Sequence, residues 1–284
     1  MNSKKTLVKT PKMGDSMSGL NKPLFYLVIV WMYGLGMQAA WANMTDQQAH
    51  DLVYQAESGS STALQALQQA AQNNDSMAQA CLGDYYLDKN DYPDSIIWTQ
   101  KAANQGNANG EADLGYMYHH GLGVTKDDAQ SVAWYQKAVA QNNAEAENNL
   151  GDMYEHDYGV PQDYAQAMNL FRKASDDGDY MAPGNVADMY YFGRGVTKDY
   201  NQAFIWYQKG ANRADSYSEY AVAYAYEKGQ GVMQSNDEAL QWYEKAANDG
   251  STDAMKRLSE AYENGELGLS KDQEKSDYWY HQAY

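Results

Sequence analysis

One cysteine, Cys81, serves the whole chain of 284 residues, so no intramolecular disulfide can form and no cysteine framework staples the fold. Its place beside Leu82-Gly83 in an apolar helical stretch suits a small buried core residue. Basic residues are also scarce, 21 against 38 acidic ones, giving a formal net charge of −17. That field repels nucleic acid and anionic lipid and favours cationic partners. No Ser-x-x-Lys followed by Lys-Thr-Gly is present, and no matching acid/base constellation stands out. Beyond the first residues no apolar run is long enough to span a bilayer.

The first 42 residues differ in composition from the rest. Lys4, Lys5, Lys9, Lys12 and Lys22 make a basic start, Leu24 to Met37 is uncharged and mostly apolar, and Ala40-Trp41-Ala42 offers a small-x-small cleavage site. This layout predicts a secretory signal over residues 1–42, with cleavage near Ala42 and a periplasmic or secreted product. An uncleaved anchor is the alternative. Loss of the signal removes the five lysines and Asp15 and leaves a net charge of −21. Neither nucleic acid nor a membrane, beyond such an anchor, is expected as a partner.

What remains is periodic. Gly-Val recurs every 36 residues at Gly123-Val124, Gly159-Val160, Gly195-Val196 and Gly231-Val232, with Gly268-Leu269 one residue late. Eleven residues on, an aromatic pair keeps the same beat: Trp134-Tyr135, Leu170-Phe171, Trp206-Tyr207, Trp242-Tyr243 and Trp279-Tyr280. A fixed period of this length predicts an all-α superhelical solenoid of stacked helix pairs. In each first helix an aliphatic residue, then a small one, precede a tyrosine, as in Leu114-Gly115 and Tyr118, or Leu150-Gly151 and Tyr154. The aliphatic residue and the tyrosine are four apart and share a packing face, and the small residue admits a second helix. The Gly-x-Gly-Val turns end the first helix. No strand precedes them and no Lys-Ser/Thr follows, so they read as C-caps rather than phosphate loops, and no cofactor is expected.

The second helix opens with the pattern of a capping box: Asp127-x-x-Gln130, Asp163-x-x-Gln166, Asp199-x-x-Gln202 and Ser235-x-x-Glu238. It continues as Ala-x-x-Trp-Tyr-x-Lys-Ala, with the lysine complementing the helix dipole. Trp98, Trp134, Trp206, Trp242 and Trp279 read as core between repeats. Residues 43–76 lack both markers but are rich in Ala, Gln and Leu, which suggests a degenerate helix pair acting as a cap; residues 77–284 carry five to six full copies. Pro183-Gly184 interrupts the start of one first helix and predicts a local bend or altered stacking there.

The unit A-x-x-x-L-G-x-x-Y-x-x-G-x-G-V-x-x-D-x-x-x-A-x-x-W-Y-x-K-A-A resembles the Sel1-like repeat, a relative of the tetratricopeptide repeat. Ala146 to Asp152, Gly159-Val160, Asp163, Ala167 and Lys173-Ala174 carry the match in one copy, and residues 218–247 in another. The resemblance implies a scaffold that binds a protein or peptide partner in an adaptor, envelope or host-interaction role, and not an enzyme. Some members resemble immunity proteins that neutralise a toxic effector. A cysteine-rich branch is associated with β-lactam hydrolysis, which implies a β-lactamase-like or peptidoglycan-active hydrolase as a further alternative; its paired cysteines have no counterpart here.

In such arrays the first helices resemble the lining of the concave face. The stripe left free by packing then lies one, four and five residues after the small residue. It holds Tyr116, His119 and His120; Asp152, Glu155 and His156; Asp188, Tyr191 and Phe192; Tyr224, Glu227 and Lys228; and Glu260 and Glu263, with Tyr220 one turn before Tyr224. Tyrosines and carboxylates together suit a peptide bearing Lys or Arg and apolar anchors. His119, His120 and His156 also suggest zinc or copper. Adjacent His119 and His120 splay about a helix, however, and no ligand pair is expected at the four-residue spacing of a helical metal site, so no metal is expected.

Overall fold

The structure, a computed structural model, describes residues 44–284; the signal read at residues 1–42 lies outside the described residues. Fourteen α-helices and no strand occur among them. They run as pairs: α1 (Asp46–Glu57) with α2 (Ser61–Gln72), α3 (Ser76–Asp88) with α4 (Tyr92–Asn104), α5 (Ala108–His120) with α6 (Asp128–Val139), and α7 (Ala144–His156) with α8 (Tyr164–Asp177). The array continues with α9 (Ala182–Phe192) and α10 (Tyr200–Ala211), α11 (Ser216–Lys228) and α12 (Asn236–Asn248), and α13 (Thr252–Asn264) and α14 (Gln273–Ala283). First helices approach the next first helix directly, α3 with α5, α5 with α7 and α9 with α11, and second helices do not to the same extent. The closer-spaced rank is the inner one, so the first helices line the inside of the curve.

No single core exists. Each hydrophobic cluster wedges one second helix between its own first helix and the next one. Val132, Tyr135 and Ala138 of α6, for instance, pack with Ala112 of α5 and with Ala146, Leu150 and Met153 of α7. Burial of such groups is the main stabilising term, and here it is distributed repeat by repeat. The repeating aliphatic residues Leu82, Leu114, Leu150, Val186, Val222 and Leu258 are all buried. The glycines beside two of them explain the close approach. A Cβ on Gly115 would stand 2.7 Å from the Tyr135 ring, and one on Gly151 would stand 2.7 Å from the Phe171 ring.

The aromatic pair divides its labour differently from the sequence expectation. Tyr135, Phe171, Tyr207 and Tyr243 are the buried members, whereas Trp98, Trp134, Trp206, Trp242 and Trp279 are only half-buried. The indoles lie at the edge of the core, where for Trp98, Trp134, Trp206 and Trp242 the lysine three residues on covers them. The ammonium stands 4.0 Å from the ring centroid for Lys101 on Trp98, 3.4 Å for Lys137 on Trp134 and 4.5 Å for Lys209 on Trp206. A desolvated core site would deny the lysines water, so the tryptophan takes the rim.

The capping pattern is half realised. Asp127, Asp163, Asp199 and Ser235 accept from the backbone N–H three residues on. The return bond from Gln or Glu, however, is completed only at Thr45 and Gln48 among the described helices. The reason is that the cap's own N–H is already committed. Asp91, Asp127, Asp163, Asp199, Ser235 and Asp272 donate it, at 2.9–3.0 Å, to the carbonyls of Tyr86, Tyr118, Tyr154, Tyr190, Tyr226 and Tyr262. These six carbonyls belong to the repeat tyrosines, and the bond closes the helix pair whether the turn is short or long. The turn itself starts in the left-handed region, at Gly121, Gly193, Gly229 and Gly265 and at Asp157 with φ 60°. That region is one that glycine enters freely and Asp tolerates.

Pro183-Gly184 does alter the start of α9, as the sequence suggests, but not its stacking: the helix begins at Ala182, three residues after the cap position, where the other first helices begin directly after theirs. Asp179 stands where Asn107, Asn143, Asp215 and Ser251 cap the other first helices, and it still accepts from Ala182 N at 2.7 Å. Pro183 falls in the first turn of α9, where an N–H has no helical partner to lose. Val186 and Met189 pack against Ala167, Met168 and Phe171 as their counterparts do elsewhere.

Candidate functional site

The sequence-predicted stripe separates into three environments. At its first end, Tyr116 is half-buried with its ring 4.3 Å from that of exposed His120. His119, also half-buried, bonds through Nδ1 to Asp128 at 2.7 Å. The three histidines do not converge. Tyr158 stands between His119 and His156, its ring 5.1 Å from the first and 5.6 Å from the second. One four-residue pair escaped the sequence reading: Asp152 and His156 meet at 3.0 Å across one turn of α7. Among the described residues Asp152, Glu155 and His156 place donor atoms within 4.8 Å of one another. Glu155, though, already bonds to Arg194 of the α9–α10 turn.

Two stripe carboxylates are structural. Glu155 and Glu227 are 6% and 8% exposed, not free on the surface as the spacing predicted. Glu155 is held by Arg194 from the next repeat. Glu227 receives Arg257 Nε at 3.0 Å and Nη2 at 3.1 Å, Tyr243 Oη at 2.7 Å and Lys228 Nζ at 2.6 Å. Burial would raise the Glu227 carboxyl, but these donors prevail and draw it down to about 2. Carboxylates so engaged latch one repeat to the next. Asp152 and Glu155, which a hydrolase would need as a working pair, are therefore divided: Asp152 faces His156, and Glu155 is spent on Arg194.

The remaining residues do gather. Tyr191, Tyr220 and Tyr224 are half-buried and line two adjoining depressions on the inner rank, and half-buried Asp188 joins them from behind, through the wall tyrosines Tyr207 and Tyr217. The first is a cavity of about 190 Å³ between α9, α10 and α11, walled by Tyr191, Tyr207, Tyr217, Tyr220 and Tyr224 with Phe192 at its edge. The second, an open groove of about 790 Å³ between α11 and α13, shares Tyr220 and Tyr224 and is bounded by Glu227, Arg257, Glu260 and Glu266. Asp188 accepts from Tyr207 Oη and from Tyr217 Oη, the latter at 2.9 Å to both carboxylate oxygens. Burial raises the Asp188 carboxyl above its ordinary range, and the two phenol hydrogen bonds oppose that rise.

Tyr207 and Tyr217 were not among the sequence candidates. Tyr207 belongs to the periodic aromatic pair, and it also packs in the core. Tyr217 occupies a first-turn position held by Asn109, Glu145, Met181 and Asp253 in other copies, and that aromatic exception is the signal that could have found it.

Comparison with known proteins agrees with this architecture. The Sel1 repeat matches residues 76–107, 108–143, 144–179, 184–215, 216–251 and 252–284. No protein of curated function matches the chain. A Sel1 repeat protein from Oxalobacter formigenes superposes with a TM-score of 0.75 at 32% identity, over 84% of this chain and 98% of that one. A Sel1 repeat protein from Klebsiella pneumoniae subsp. pneumoniae gives 0.53 at 23% identity, over 69% and 97%. An immunity protein from Pseudomonas aeruginosa gives 0.52 at 18%, over 68% and 73%, a likeness of fold alone. Six consecutive repeat matches on a two-rank helical array place the chain in the Sel1 repeat family, whose members are generally scaffolds for protein interaction.

Proposed function

We propose that this chain is an exported scaffold that holds a protein or peptide partner against its inner rank of first helices, over α9, α11 and α13. The observation that carries this reading is the pair of adjoining depressions sharing Tyr220 and Tyr224. Tyrosines supply large contact area at low conformational cost, and the carboxylates around them set orientation. The excess of acidic residues favours a basic partner, because complementary charge accelerates encounter. Export rests on the basic, apolar and small-residue sequence of residues 1–42.

Affinity capture from an envelope extract tests the binding reading. The wild-type chain is expected to retain a protein that a Tyr116→Ala, Tyr191→Ala, Tyr224→Ala variant loses. Equal retention by the folded variant counts against it. N-terminal sequencing of the exported chain tests the export reading, with a new terminus expected just after Ala42.

A further inference from the structure

We infer that the tyrosine-walled cavity between α9, α10 and α11 receives one cationic side chain, lysine or arginine, of the bound partner, with Asp188 as its counter-charge. This deepens the reading of the inner rank as a partner surface and rests on it.

Size speaks first. At about 190 Å³ the cavity is below the roughly 300 Å³ at which pockets begin to hold drug-sized ligands, so it suits a single side chain. Its rings enclose space without stacking it shut. Tyr191 meets Phe192 at 78° and Tyr207 at 61°, and Tyr207 meets Tyr217 at 71°. Aromatic faces carry negative potential, and a cation among several of them is attracted by each.

Charge then selects among occupants. Tyr207 and Tyr217 both donate their hydroxyl protons to Asp188, which pushes electron density back into the rings that wall the cavity. No cation bonds to Asp188 among the described residues, and nearby Arg194 is committed to Glu155. A half-buried carboxylate without a cationic partner, set behind electron-rich rings, favours a positive group over an aliphatic one of equal volume. The chain's own lysines show the same preference at the rim. Lys198 stands 4.5 Å from the Tyr200 centroid and 5.6 Å from that of Tyr191, and Lys228 stands 5.6 Å from that of Tyr224.

The test uses the full chain and three capped tripeptides, acetyl-Gly-X-Gly-amide, with X as lysine, arginine or norleucine. Binding is read from NMR shifts of the tyrosine rings. Lysine and arginine are expected to shift Tyr207 and Tyr217 saturably, and norleucine to bind at least about fivefold more weakly, consistent with the worth of a cation on a partly desolvated ring. Asp188→Asn is expected to weaken the lysine peptide about tenfold and leave norleucine unchanged. Tyr224→Ala removes a wall without touching Asp188 and is expected to weaken both basic peptides, which keeps the test open should Asp188→Asn fail to fold.

Equal binding of norleucine and lysine, or no ring shift with any tripeptide, overturns the cation site. A parallel selection of random displayed peptides separates this failure from that of the broader reading. Binders that need the inner-rank tyrosines but tolerate Lys/Arg→norleucine sink the cation site alone. Recovery of no binder sinks both.

Discussion

Arg257 of α13 reaches back to Glu227 of α11 with a two-point grip, Nε to Oε2 at 3.0 Å and Nη2 to Oε1 at 3.1 Å, and so fastens two adjoining repeats. The folded Glu227 carboxyl lies at about 2, below its ordinary 4.5. A depressed carboxyl contributes stability that is present above pH 4.5 and is lost as pH falls from there toward 2. Glu227→Gln should therefore flatten the acid limb of unfolding over that window, at a cost near neutrality of about 3 kcal/mol. Arg257→Ala strands the buried carboxylate and should cost about 3–5 kcal/mol. Urea titrations at pH 7 and pH 3 measure both, and an unchanged acid limb in Glu227→Gln would falsify the latch.

Lys245 and Glu219 show the opposite sign. Glu219 has a fully buried side chain, and its Oε2 has no hydrogen-bond partner, while Lys245 bonds to Oε1 from half-exposed ground. Burial pushes Glu219 up to about 7, against the pull of Lys245. A raised carboxyl favours the fold at low pH, and that advantage fades as pH rises from 4.5 through 7. Glu219→Gln is thus expected to raise the melting temperature at pH 8, because the freed lysine can hydrate. Lys245→Ala should lower it, and by more at pH 8 than at pH 5. Thermal melts at the two pH values decide the matter; a lower melting temperature for Glu219→Gln at pH 8 would overturn the assignment.

Gly151 has no room for a methyl group, since its Cβ would press on the Phe171 ring at 2.7 Å. Both elements are packed into their neighbours, so the ring cannot withdraw freely. Gly151→Ala should cost about 1–3 kcal/mol through overpacking. Phe171→Ala should cost about 3–5 kcal/mol through the opposite fault, a cavity. Denaturant midpoints check both, with the slope expected to stay unchanged.

Cys81 is 5% exposed, and burial with nearby Asp84 raises its thiol to about 12. Almost no thiolate exists at pH 8, and the thiolate is the reactive form. Iodoacetamide should leave the folded chain unmodified at that pH and label it promptly in urea. Mass spectrometry of the two samples is the measurement, and rapid labelling of the folded chain contradicts the burial.

The sequence alone was enough for the period, the helix pairs, the buried aliphatic positions and the capping residues. These depend on contacts within one turn or one hairpin, where residue spacing and backbone hydrogen bonding leave few choices. The tertiary structure decided which members of the stripe are free. Glu155 and Glu227 look identical in spacing to exposed positions, and only partners 39 and 30 residues away turn them into buried latches. The cavity is equally non-local, because Tyr191, Tyr207 and Tyr217 come from three helices and wall one space, with Asp188 bonded to the last two, only once those helices are stacked. A repeat pattern records what each unit needs in order to pack. Which side chains from neighbouring units then converge is set by the stacking, and no single copy contains that information.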